Sequence, residues 1–264
     1  MTEGEAQLVR AGAFASALAV ALLLQRLLPH ARLRGSWSVN GVLWLVDAVV
    51  VGAVCGACAF SAARWAAVRH VGLFHWTGTG ARAAVPATIL LLDLVSYGWH
   101  RANHRVRALW RFHQVHHSDP TFTVSTGLRF HPGELVLSLP VRIAAVVAIG
   151  ASAAGVLVFE ALFTLANLIE HGDIAVPRRL ERGLGRVLIT PALHRRHHTK
   201  RGPARDTNFG TIFSFWDRAF ASYTPNDSTR AVETGLPGLE RVPLRVALLL
   251  PLHGTTIYRP TDCR

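Results

Sequence analysis

Apolar residues run through this chain in long blocks, not in the half-faced patterns of a soluble fold. Four regions are continuous enough to lie in lipid. They are residues 11–28, broken by Gln25 and Arg26; residues 42–63, with Asp47 as their single charge; residues 83–99, with Asp93 late in the run; and residues 134–169. One helical crossing takes about 20 apolar residues, so the last region has length for two. Gly150-Ala-Ser-Ala-Ala-Gly155 marks the turn between them. Residues 242–252, short and holding Pro243 and Pro251, read as an interfacial or re-entrant piece. The pattern predicts an all-α, polytopic membrane helical bundle with about four crossing helices and a fifth or interfacial segment. It reads as one integral membrane domain over residues 1–264, with membrane helices in 1–87. Glu3 and Glu5 precede Arg10, which is not the positive start of a secretory signal, so the first apolar run is expected to stay as an anchor.

Composition supports that reading. Half of the residues are hydrophobic, only 17% are charged, and mean hydropathy is +0.29; soluble domains carry about 25% charge. This excludes a disordered chain, and three cysteines exclude a disulfide scaffold. Net charge is +12, and every basic residue except Lys200 is arginine. The arginines gather just beyond the apolar runs. That favours membrane flanks over a nucleic-acid groove, and no nucleic-acid partner is expected. Arg142 and Glu160 interrupt the fourth region. Folded as a hairpin they reach similar depth, which reads as a structural ion pair before a substrate or proton path.

The histidines carry the chemistry. Eight of the 14 fall in three clusters: His100 and His104; His113, His116 and His117; His194, His197 and His198. On a helix, positions i, i+3 and i+4 share a face, so each cluster offers imidazoles pointing one way. Imidazole is the commonest metal ligand side chain, and eight exceed what one transition metal takes, which predicts two metals. The clusters sit at the ends of the third and fourth apolar regions. Two crossings in 134–169 return the chain to the same side, and the flanking arginines place that side at the cytoplasm. His171 ends the return helix and joins as a further ligand. His131 is open between ligand, holder of a ligand and helix-start residue. Asp93, two turns before His100, either orients a ligand or is a buried polar group bound to a neighbouring helix. Asp119, Glu170, Asp173 and Asp206 are weaker candidates for the orienting role.

The motifs together resemble the fatty acid hydroxylase/sterol desaturase superfamily. They comprise Asp93…Tyr97-Gly-Trp99-His100-Arg101-x-x-His104, Leu109-Trp110-Arg111-Phe112-His113-x-x-His116-His117-Ser118, Arg129-x-His131-Pro132-x-Glu134, Asn167-x3-His171, Pro191-x-x-His194-x-x-His197-His198 and Asp206-Thr-Asn-Phe-Gly210 with Phe215-Trp-Asp-Arg-x-Phe220. The match covers about residues 88–224. The resemblance implies a cytosolic histidine cap holding two Fe ions, with Zn able to replace them on isolation. It implies a lipid substrate from the bilayer, O2 and a separate electron donor of ferredoxin or cytochrome type. The reaction implied is hydroxylation or desaturation of a C–H bond. The implied ligands are His100, His104, His113, His116, His117, His171, His194, His197 and His198. Some members have a further histidine where this chain has Asn167, which binds weakly, binds through water or holds His171.

Other readings fit less well. A metal transporter or metal-binding protein should place ligands near mid-bilayer, and a zinc hydrolase lacks H-E-x-x-H. Cys55-x-x-Cys58 has redox spacing but sits inside an apolar segment, where small residues serve packing. Substrate identity and oligomeric state are not encoded in these patterns.

Overall fold

A computed structural model describes residues 1–55, 58–225 and 232–252. Among the described residues twelve helices follow in chain order. They are α1 (Glu3–Leu27), α2 (Trp37–Cys55), α3 (Cys58–Arg69), α4 (Leu73–Trp76), α5 (Ala81–Arg105) and α6 (Arg107–His117), then α7 (Pro132–Ile149), α8 (Ala153–Glu170), α9 (Arg178–Leu184), α10 (Pro191–His197), α11 (Phe215–Ala219) and α12 (Leu244–Leu249). Short 3-10 turns join some of them, and no strand occurs among the described residues. Among the described residues four helices are long and apolar enough to cross a bilayer: α1, α5, α7 and α8.

The expected hairpin forms. Gly150 closes α7 at φ 69°, a left-handed position that suits glycine, and the Ser152 side chain caps α8 by accepting from Gly155 N at 3.0 Å. The chain needs a second glycine beneath it: a Cβ on Gly72 would lie 2.3 Å from Gly150 N. Residues 42–55 lie in α2 and 58–63 in α3, and residues 56–57 between them lie outside the described residues. The side chains of Cys55 and Cys58 lie outside the described residues.

α1 packs along α8 through alanines, Ala6, Ala17 and Ala21, whose small side chains let the helices approach. Leu8, Val49 and Val68 stay exposed, as lipid-facing positions do. This packing changes the expected ion pair. Glu160 accepts from Arg10 Nε of α1 at 2.7 Å, and not from Arg142. The hairpin argument weighed only partners within residues 134–169, whereas α1 supplies the nearer cation.

The C-termini of α1, α5 and α8 and the N-terminus of α7 meet at one end of the bundle. There Leu28 O accepts from Ala175 N, and the segment 124–128 packs on α8. The 242–252 patch becomes α12 and a 3-10 turn. Ala247 and Leu250 pack there against Leu43 and Val115.

Candidate metal centre

All nine predicted histidines come together at this end, in two adjacent groups. His100, His104, His113, His117 and His197 form the first; His116, His171, His194 and His198 form the second. In each, one ring nitrogen per residue lies within 4.8 Å of the others. The rings of His117 and His198, one from each group, stack at 4.2 Å and 13°.

The sequence clusters do not map one to one onto these groups. Every i, i+4 pair stays together: His100/His104, His113/His117 and His194/His198. The histidine at i+3 crosses to the other group, as His116 does from α6 and His197 from α10. A helix turns 100° per residue, so positions i+3 and i+4 diverge by that angle around the axis. Each H-x2-H-H therefore straddles both groups and does not point one way.

In four of the rings the other nitrogen fixes the tautomer. His100 Nδ1 donates to Phe209 O at 2.8 Å, His116 Nδ1 to Arg129 O at 3.1 Å, His171 Nδ1 to Asn167 O at 2.6 Å and His197 Nδ1 to Thr207 O at 2.8 Å. A carbonyl only accepts, so these Nδ1 atoms carry the proton and each Nε2 presents a lone pair. The lone pairs converge: His116 Nε2 lies 3.0 Å from His171 Nε2. The Nε2 atoms of His100, His104 and His197 are buried without a hydrogen-bond partner. Acceptors facing acceptors in a buried space repel unless a cation stands between them, so this donor set fits a metal.

Carboxylates stand behind three further rings. His113 Nδ1 donates to Glu134 Oε1 at 2.8 Å, and the Asn103 side-chain amide donates to the same oxygen. His104 Nδ1 lies 3.4 Å from Asp206 Oδ1. Glu170 stands 3.7 Å from His194 Nδ1. Glu134 belongs to the Arg129-x-His131-Pro132-x-Glu134 motif but is not among the acids that the sequence offers as orienting groups. Its signal was present: an acid in the first turn of an apolar helix, beside a histidine–proline start.

Asp93 takes the second of its two expected roles. Its carboxylate accepts from Ile212 N, Phe213 N and Trp216 Nε1 and so fastens the 212–216 segment. Asp217 does the same one step earlier, accepting from Phe209 N at 2.7 Å and Gly210 N at 2.9 Å. The two acids hold the strip whose Thr207 and Phe209 carbonyls orient His197 and His100. His131 is a helix-start residue: its Nδ1 accepts from Gly133 N at 2.9 Å as the cap of α7, and its Nε2 donates to Leu248 O. Asn167 donates from its side-chain amide to Gly127 O and offers its backbone carbonyl to His171 Nδ1, so it holds His171 in place.

Burial pushes the imidazoles of His116, His117, His194, His197 and His198 well below their usual range, and His171 to about 4. Neutral rings are what a metal requires. The sign of the pH effect follows. An unfolded histidine takes a proton near pH 6.5, while the folded sites refuse it. The metal-free protein is therefore expected to be most stable above about pH 6.5 and to lose stability as pH falls toward 4. Thermal unfolding across that range checks this; a flat profile would contradict it.

A cavity of about 140 Å³ touches both groups, at His100 and His113 of the first and at His116, His171 and His194 of the second. It runs from there between α5, α7 and α8, along Val95, Val141, Phe159 and Phe163. One end is imidazole, and its walls are mostly hydrocarbon.

Comparison with known proteins gives one consistent answer. The family model for fatty acid hydroxylase matches residues 85–222. An ornithine lipid hydroxylase of Rhizobium tropici is 26% identical over 57% of this chain and 44% of its own length. Alkylglycerol monooxygenases of Danio rerio and Homo sapiens are 30% and 28% identical, over 51% and 52% of this chain and 29% and 30% of theirs. The chain thus spans less than half the length of these curated relatives. No solved structure gives a significant match.

Proposed function

The chain belongs to the fatty acid hydroxylase family, and from that premise we propose that it is a membrane-bound, metal-dependent oxygenase that hydroxylates a C–H bond of a lipid. The observation that carries this reading is the apolar cavity ending on two groups of lone-pair-bearing imidazoles. An unactivated C–H bond offers no acid, base or electrophilic handle, so side chains alone do not open it.

We assign one iron ion to each group: His100, His104, His113, His117 and His197 hold one, and His116, His171, His194 and His198 the other. When bound, the iron pair supplies redox chemistry with O2. Zinc accepts the same donors and can stand in for it on isolation. In the balanced reaction, O2, two electrons and two protons convert a C–H bond to C–OH and release water.

The chain's own residues do the rest. Carbonyls of Asn167, Thr207, Phe209 and Arg129 hold the rings in one tautomer. Glu134 adds negative charge behind His113, which strengthens it as a donor. The walls around Phe159 and Phe163 align the chain and keep water away. Hydroxylation is preferred to desaturation because the relatives are named for hydroxylation and monooxygenation. Exposed Arg105, Arg107, Arg178, Arg179, Arg182 and Arg186 at the histidine end suit the cytoplasmic face. An acidic ferredoxin or cytochrome-type donor would dock on that charge.

Labelled dioxygen tests the reading. Membranes holding the protein and a reducing partner should place the heavy oxygen in a lipid hydroxyl. A hydroxyl labelled only from water would contradict it. Glu134→Gln keeps an acceptor for His113 but removes the charge. It should weaken metal binding by about 10–100-fold in a chelator competition, and unchanged affinity would remove Glu134 from this role.

A further inference from the structure

The cavity that opens on the histidines does not end in hydrocarbon alone. Arg142 lines its far part. It lies on α7 eight residues beyond Glu134, which is about 12 Å of helix rise. Arg142 is half-buried, with its guanidinium carbon 5.9 Å from the centre of the Phe163 ring. Among the described residues it makes no hydrogen bond and no ion pair. A second cavity, about 260 Å³, shares Arg142, Phe159 and Phe163 with the first and adds Arg10 and Glu160. Arg10 already occupies the Glu160 carboxylate. Two guanidinium groups thus face one carboxylate, and one positive charge is left over in the middle of the bundle.

A cation at that depth is costly unless something answers it, and such residues mark substrate paths. We propose that this end of the cavity is a subsite for the monoanionic head of a single-chain lipid. Arg142 takes the carboxylate, with Arg10 on the adjoining wall, and the chain runs back past Phe163 toward His100 and His113. A carboxylate matches the single excess charge, whereas a phosphate monoester would bring more charge than the two arginines leave unanswered. The proposal rests on the oxygenase reading only for its consequence: the histidines would meet a carbon remote from the head.

Binding can be read without turnover. The probes are cis-parinaric acid and its methyl ester, titrated into the detergent-purified full chain. Arg142→Leu should lower affinity for the acid by about tenfold or more, the loss of one charge-assisted contact. It should leave the ester unchanged, and Arg142→Lys should keep most of the acid's affinity. Leucine suits a membrane helix, so the variant is expected to fold, and equal ester binding verifies that.

Orientation is tested through Trp99, which lines the cavity beside His100. Stearate with a nitroxide near its methyl end should quench the Trp99 signal, taken as wild type minus Trp99→Phe, more than stearate labelled near its carboxyl. Unchanged acid binding in Arg142→Leu, equal loss of acid and ester, or the reverse quenching order would each overturn the subsite. A protein that binds the acid as described yet oxidises no lipid would instead count against the oxygenase reading alone.

Discussion

His197→Ala is expected to abolish lipid oxidation and to empty the first histidine group of metal. His197 sits where α10 delivers one ring across to the α5 and α6 histidines, with its Nε2 buried and unpartnered and its Nδ1 committed to Thr207 O. It is the one ring that α10 contributes to this group. His194→Ala should do the same to the second group. Metal analysis beside a turnover assay checks both. His131→Ala is the informative contrast, because His131 caps α7 and stands outside both groups. It should keep its metal and lose only about 1 kcal/mol of stability. Metal retained in His197→Ala, or lost in His131→Ala, would contradict the assignment.

The second large effect is expected at Asp217, which touches no histidine. Its buried carboxylate accepts from two backbone N–H groups and from the Ser222 hydroxyl. Asp217→Ala leaves those donors buried without partners, at a cost of about 3–5 kcal/mol. It also frees the Phe209 carbonyl that orients His100, so metal affinity should fall together with stability. Asp217→Asn, which keeps one acceptor oxygen, should lose less of both. Thermal unfolding in detergent with and without added metal separates the two losses. If the metal-free protein melts normally, Asp217 does not hold this strip.

The sequence carried the bundle and the nine histidines because both are written in local spacing. Apolar runs of crossing length need no partner to be recognised, and Gly150 and Ser152 mark a turn by backbone chemistry alone. Histidines at i, i+3 and i+4 announce a shared purpose, but not how they divide. The crossing of His116 and His197 depends on where α6 and α10 stand relative to each other. Asp93 misleads for the same reason. Two helical turns from His100 is the right spacing for an orienting acid, yet the segment carrying Phe213 and Trp216 claims the carboxylate, and nothing near Asp93 in sequence announces it. Arg10 and Glu160 lie 150 positions apart, beyond any periodicity, and only the packing of α1 on α8 pairs them. Glu134 was readable in principle, since an acid that opens a membrane helix needs a partner.

The central claim is that the two histidine groups each bind an ion of a redox metal. Metal content per chain, measured on protein purified anaerobically and loaded with ferrous iron, tests it most directly. The account predicts two irons per chain, one for each group, with His194→Ala and His197→Ala each losing iron. A folded wild-type protein that holds no stoichiometric metal after loading would contradict it.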